Sequence, residues 1–69
     1  MDIKKTFGET LKDLREARGL GQVVLAKSIG VSKGIISLWE NGLREPTMSN
    51  LVSLARYFDV SVDEIIGLK

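Results

Sequence analysis

Sixty-nine residues, 43% of them apolar and 28% charged, make a single domain near the lower size limit for a self-sufficient core. With no Cys and no His, the chain lacks disulfide staples, the usual zinc ligands and the common catalytic dyads, so no enzyme activity and no cofactor is expected, and a reducing, cytoplasmic compartment is its natural setting. The net charge of +1 does not announce nucleic acid, no apolar run approaches the ~18 residues of a membrane span, and residues 1–9 lack the apolar stretch of a signal peptide.

Residues 6–18 read as the first helix. Thr6 followed by Glu9 fits a capping box, in which hydroxyl and carboxylate each satisfy a free backbone donor. Phe7, Leu11 and Leu14 fall at i, i+4 and i+7 and form one apolar face. Gly8 is a weakness in the first turn, worth up to ~1 kcal/mol against Ala. Gly19 is a natural stop, after which Leu20 turns inward. Residues 22–29 form the second helix, with Leu25, Ala26 and Ile29 on its inner face and Gly30 at its end. Val31 plugs the turn, and Ser32 is a good N-cap for the third helix, residues 33–41, whose Ile36 and Trp39 face the core. Asn41-Gly42 is a breaker pair.

A loop over 43–46 leads to Thr47, which caps a fourth helix over 48–58. Its Leu51, Leu54, Ala55 and Phe58 make the cleanest stripe in the chain. Ser61 with Glu64 opens a short fifth helix over 62–66, with Val62, Ile65 and Ile66 closing the core and Gly67 ending it. There is no strand alternation and no repeat, so the expected fold is all-α, a compact bundle of five short helices over one domain, 1–69. Asp59, Asp63 and Glu64 make the C-terminal end acidic; they lack metal-ligand spacing and read as a solvated surface that faces away from any polyanion. Met48 and Tyr57 read as partly exposed packing residues.

Residues 22–42 are the centre of the reading. Two helices that cross at a wide angle with few residues between them need a small residue at the crossing, a glycine in the turn and apolar anchors in the second helix. Ala26, Gly30, Ile36 and Trp39 stand at those offsets, which describes a helix-turn-helix. Over residues 11–66, with its LA, GVS, IS-WENG, EP and FDVSVDE segments, the chain resembles the phage Cro and repressor head family, the XRE-like helix-turn-helix regulators. The resemblance implies a lambda-repressor-like five-helix domain that binds double-stranded operator DNA, usually as a homodimer.

Carried over residue by residue, the resemblance implies base reading by Lys33, Gly34, Ser37 and Leu38 on the exposed face of the third helix. It implies phosphate contacts from Gln22, Asn41, Arg44 and Thr47, the last through the free N–H groups at the start of the fourth helix. It also implies a structural ion pair between Arg15 and Glu40 that touches no base. For Arg44, pairing with Glu45 is the alternative to a phosphate contact.

The chain departs from the family pattern in four places. Gly21 replaces a hydroxyl cap, Val23 and Val24 stand where polar residues are common, Gly34 offers no side chain, and Ile35 and Leu38 offer only thymine-methyl contact. The weak base-reading surface points to modest specificity or to readout of DNA shape. It also motivates an alternative: a protein-interaction module that docks a partner on Val23, Val24, Ile35 and Leu38, favoured if those side chains form one exposed patch.

Overall fold

Each helix of the chain starts where a small polar residue or a glycine stands just ahead of an apolar stripe. The computed structural model describes residues 2–68 and folds them into α1 (Ile3–Ala17), α2 (Gln22–Ile29), α3 (Lys33–Glu40), α4 (Met48–Phe58) and α5 (Val62–Ile65). Ser32, Thr47 and Ser61 accept from the third backbone N–H beyond them, at Ile35, Asn50 and Glu64, so one free donor of α3, α4 and α5 is satisfied in each case. Gly21 caps α2 with backbone alone. The ends of α1, α3 and α5 each lie one residue short of the expected boundary.

The start of α1 differs from the expected one. Asp2 is the N-cap, accepting from Lys5 N at 3.2 Å, and the helix begins three residues before the anticipated Thr6–Glu9 box. A carboxylate ahead of Ile3 competes successfully for the N-terminus because it both caps and opposes the helix dipole. Thr6 is thereby freed for another task. Its hydroxyl lies 3.3 Å from Ile3 O and donates at 2.9 Å to Ile66 O, which ties the first helix to the end of α5.

The core is one cluster drawn from all five helices. Phe7 and Leu11 of α1 meet Leu25 and Ala26 of α2, Ile36 and Trp39 of α3, Leu54 and Phe58 of α4, and Ile65 of α5, all buried. Each large side chain removed from water contributes about 1.5–3 kcal/mol. Trp39 takes the place its spacing from Ile36 predicts, with its ring in edge contact with Phe7 at 5.8 Å between centroids. Its Nε1–H is buried without a hydrogen-bond partner among the described residues, so packing alone holds the indole. Met48 is 85% exposed and contributes little packing, whereas Tyr57 is half-buried with its ring edge-on to Phe58.

Gly8 has a role that its place in the first turn does not suggest. It is buried, and a Cβ built on it would lie 2.3 Å from Trp39 O and 3.1 Å from Glu40 O. The backbone of α1 therefore touches the last carbonyls of α3, and the missing side chain is what lets the two helices approach. What reads locally as a helix weakness is a close-packing requirement.

Arg18 closes the other side of the bundle. At the C-cap of α1, its guanidinium donates to Tyr57 O at 3.0 Å and Phe58 O at 2.8 Å, two carbonyls at the end of α4. A cation there satisfies orphan acceptors and complements the helix dipole. The following residue, Asp59, ends α4 in the left-handed conformation at φ 55°.

Candidate nucleic-acid interface

The turn between α2 and α3 is built as the sequence predicts. Gly30 adopts φ 76° and ψ 33°, a conformation that costs any residue with a Cβ, and the N–H of Val31 reaches back to Ala26 O at 2.9 Å. Ala26 itself is only 2% exposed, at the helix crossing. This geometry buries Ile36 and Trp39 and turns the N-terminal part of α3 outward. Ser32, Lys33 and Gly34 are exposed, while Ser37 and Leu38 are half-buried. A Cβ on Gly34 would meet only Ser32 Oγ at 3.8 Å, so the fold itself has room for a side chain there.

Three of the four candidate phosphate-binding residues, Gln22, Asn41 and Thr47, lie at helix ends. Thr47 is exposed and its hydroxyl oxygen accepts from Asn50 N at 3.1 Å, leaving the N–H groups of Met48 and Ser49 without helical partners. Such a terminus favours an anion. Arg44 is exposed in the loop before it. Arg15–Glu40 is the one ion pair among the described residues, so the alternative pairing of Arg44 with Glu45 is not formed. Asn41 is exposed just past α3, and its Nδ2 donates to Ser37 O at 2.9 Å and Ser37 Oγ at 3.3 Å. One candidate phosphate residue thus orients one candidate base reader.

Arg15 and Glu40 form the expected ion pair. The guanidinium engages the carboxylate through both oxygens, Nε to Oε2 at 2.7 Å and Nη2 to Oε1 at 2.9 Å, while Nη1 donates to Leu20 O at 2.7 Å. The side chains are 11% and 4% exposed. Donating hydrogen bonds to the Glu40 carboxylate raises the Arg15 pKa above its ordinary value against the opposing effect of burial. A third donor completes the group: Gln22, at the first position of α2, donates from Nε2 to Glu40 Oε1 at 3.1 Å. The chain order holds no local signal for that bond, because the partners are 18 residues apart and meet only when α2 and α3 pack.

The four residues of the alternative apolar docking face differ in exposure. Val23 and Val24 are about half exposed, but Ile35 packs against the core and Leu38 is half-buried. Among the described residues no group of acidic side chains is placed to hold a metal ion, and no helix is long and apolar enough to cross a membrane.

Residues 11–65 match the Helix-turn-helix family. The chain belongs to that family. Among relatives of this helix-turn-helix chain, the transcriptional activator BcrR of Enterococcus faecalis is 38% identical over 61 residues, which cover 88% of this chain and 30% of the activator. The chain spans 55% of the length of two further curated regulators. Its fold is similar to that of the restriction-modification controller protein C.AhdI from Aeromonas hydrophila, with a TM-score of 0.82 and 32% identity over 90% of this chain and 94% of that one. It is equally similar to the P22 c2 repressor, crystallised with a synthetic operator, with a TM-score of 0.82 and 34% identity over 86% of this chain and 89% of the repressor.

Proposed function

We propose that this helix-turn-helix chain is a sequence-specific, double-stranded-DNA-binding transcriptional regulator of the cytoplasm, a repressor acting as a homodimer on a two-fold operator. The observation that carries the reading is α3 itself. Its apolar side is locked into the core by Ile36 and Trp39, and its N-terminal half stands outward on a turn closed by Gly30. A helix held this way fits the major groove.

In this reading Lys33 reaches a guanine edge, Ser37 a base hydrogen-bonding group and Leu38 a thymine methyl, while Gly34 brings the backbone close to the groove. Gln22, Asn41, Arg44 and the α4 terminus at Thr47 hold phosphates on either side and set register. The second copy docks on the C-terminal end. Ile65 is consumed by the core there, but Val62 and Leu68 remain exposed.

The test is selection of bound sequences from random duplex DNA. The expected product is a two-fold symmetric site whose half-sites lie about one helical turn apart, ~34 Å. Recovery of no enriched sequence, or affinity that is flat against salt, overturns the reading, because phosphate neutralisation must release counterions.

A further inference from the structure

We propose that Glu40 is a positioning residue for DNA binding, holding the Gln22 carboxamide ready as a phosphate donor before DNA arrives. The inference rests on the DNA reading above and assigns Glu40 a task beyond the helix-bracing ion pair. An ionised carboxylate only accepts, so the edge of the Gln22 amide that faces it must be the nitrogen. That nitrogen carries two hydrogens. One is engaged by Glu40 Oε1 at 3.1 Å, and the second has no partner among the described residues.

The carboxylate is a fixed anchor. Arg15 grips both of its oxygens at 2.7 and 2.9 Å, Arg15 is tied in turn to Leu20 O at 2.7 Å, and the Glu40 side chain is 4% exposed. A fixed anchor transmits its rigidity to the amide. A free glutamine loses rotamer entropy when it clamps a phosphate; one already held loses little. The first residue of α2 also sits where free backbone N–H groups and the helix dipole favour an anion, so the second amide hydrogen adds to a site already suited to phosphate. Because Gln22 is neutral, its contribution brings no counterion release, which separates it from Arg44.

A double-mutant cycle on the best duplex recovered by selection tests this. Glu40→Ala is expected to weaken binding about three- to tenfold in the otherwise native chain. In the Gln22→Ala background the Glu40 change should cost clearly less, only the part that comes from losing the helix-bracing ion pair, and the salt dependence should keep its slope in all four proteins. An equal loss in both backgrounds means a purely structural Glu40 and overturns the proposal.

The free native protein supplies a second measurement that needs no variant to fold, nitrogen relaxation of the Gln22 side-chain amide. An order parameter near that of rigid backbone, about 0.85, supports the proposal, and a value below about 0.6 overturns it. If the native chain shows no salt-dependent duplex binding, the DNA reading falls and this inference falls with it. The amide measurement still reports separately whether Glu40 holds Gln22.

Discussion

Replacing Gly8 with Ala sets two effects of opposite sign against each other. In an open helix the change stabilises by about 1 kcal/mol, because alanine has the higher helix propensity. Here the new methyl would stand 2.3 Å from Trp39 O and 3.1 Å from Glu40 O, both backbone atoms that cannot rotate aside. Ordinary carbon–oxygen contact requires α1 and α3 to separate by about 1 Å at this point, and overpacking of that kind costs about 1–3 kcal/mol, occasionally more. The shift would also disturb the nearby Phe7–Trp39 ring contact and the seat of Glu40. At 2.3 Å from a backbone atom the clash falls in the upper part of that range, about 2–3 kcal/mol, so it wins with a net loss of about 1–2 kcal/mol. For a domain of this size that is a fall of roughly 4–16 °C in melting temperature. Thermal unfolding followed by far-ultraviolet circular dichroism measures it. A melting temperature equal to or above that of the native chain would refute the close-packing argument and restore Gly8 as a simple helix weakness.

Lys33→Ala should leave the melting temperature nearly unchanged, since the side chain is exposed, while it weakens DNA binding; in a salt titration the slope should fall by about 0.9 if the ammonium meets a phosphate and stay level if it reads a base. Ala26→Val should lower stability by about 1–3 kcal/mol through overpacking at the crossing of α2 and α3, visible as a lower urea midpoint with an unchanged m-value. Arg18→Ala removes two hydrogen bonds to the end of α4 and should cost about 1 kcal/mol, with faster amide exchange at that end of the helix as its local signature. Asp59→Gly should raise stability by about 0.5–1 kcal/mol in the same melts, because glycine takes φ 55° without the clash an L side chain incurs.

Locally encoded features of the fold are the ones legible in the chain. Ser32, Thr47 and Ser61 were readable as caps because each acts on a residue three positions away, and Gly30 was readable as the turn because its conformation is its own. The start of α1 was not, since Thr6 and Glu9 imitate a capping box while Asp2 provides the cap. Gly8, Arg18 and the Gln22–Glu40 bond depend on partners 18 to 40 residues distant that come together only through packing. Arg15–Glu40 is equally long-range and was accessible through the family resemblance alone. At the candidate interface, Lys33 and Gly34 stand outward as expected. Which faces of Ser37, Leu38 and Asn41 are free was beyond a one-dimensional pattern, because a side chain at the edge of a helix stripe can turn either way.

The indole at position 39 is the chain's single tryptophan, and its place gives the molecule a built-in optical probe. It sits 1% exposed in the seam between α1 and α3, with a phenylalanine ring at its edge. Its emission should be blue-shifted in the native state and move to the red when that seam opens. The residues proposed to read bases lie on the same helix but outside the core that holds the indole, so ligand capture should leave the spectrum in place. One unlabelled sample can then distinguish a variant that has lost its ligand from one that has lost its shape.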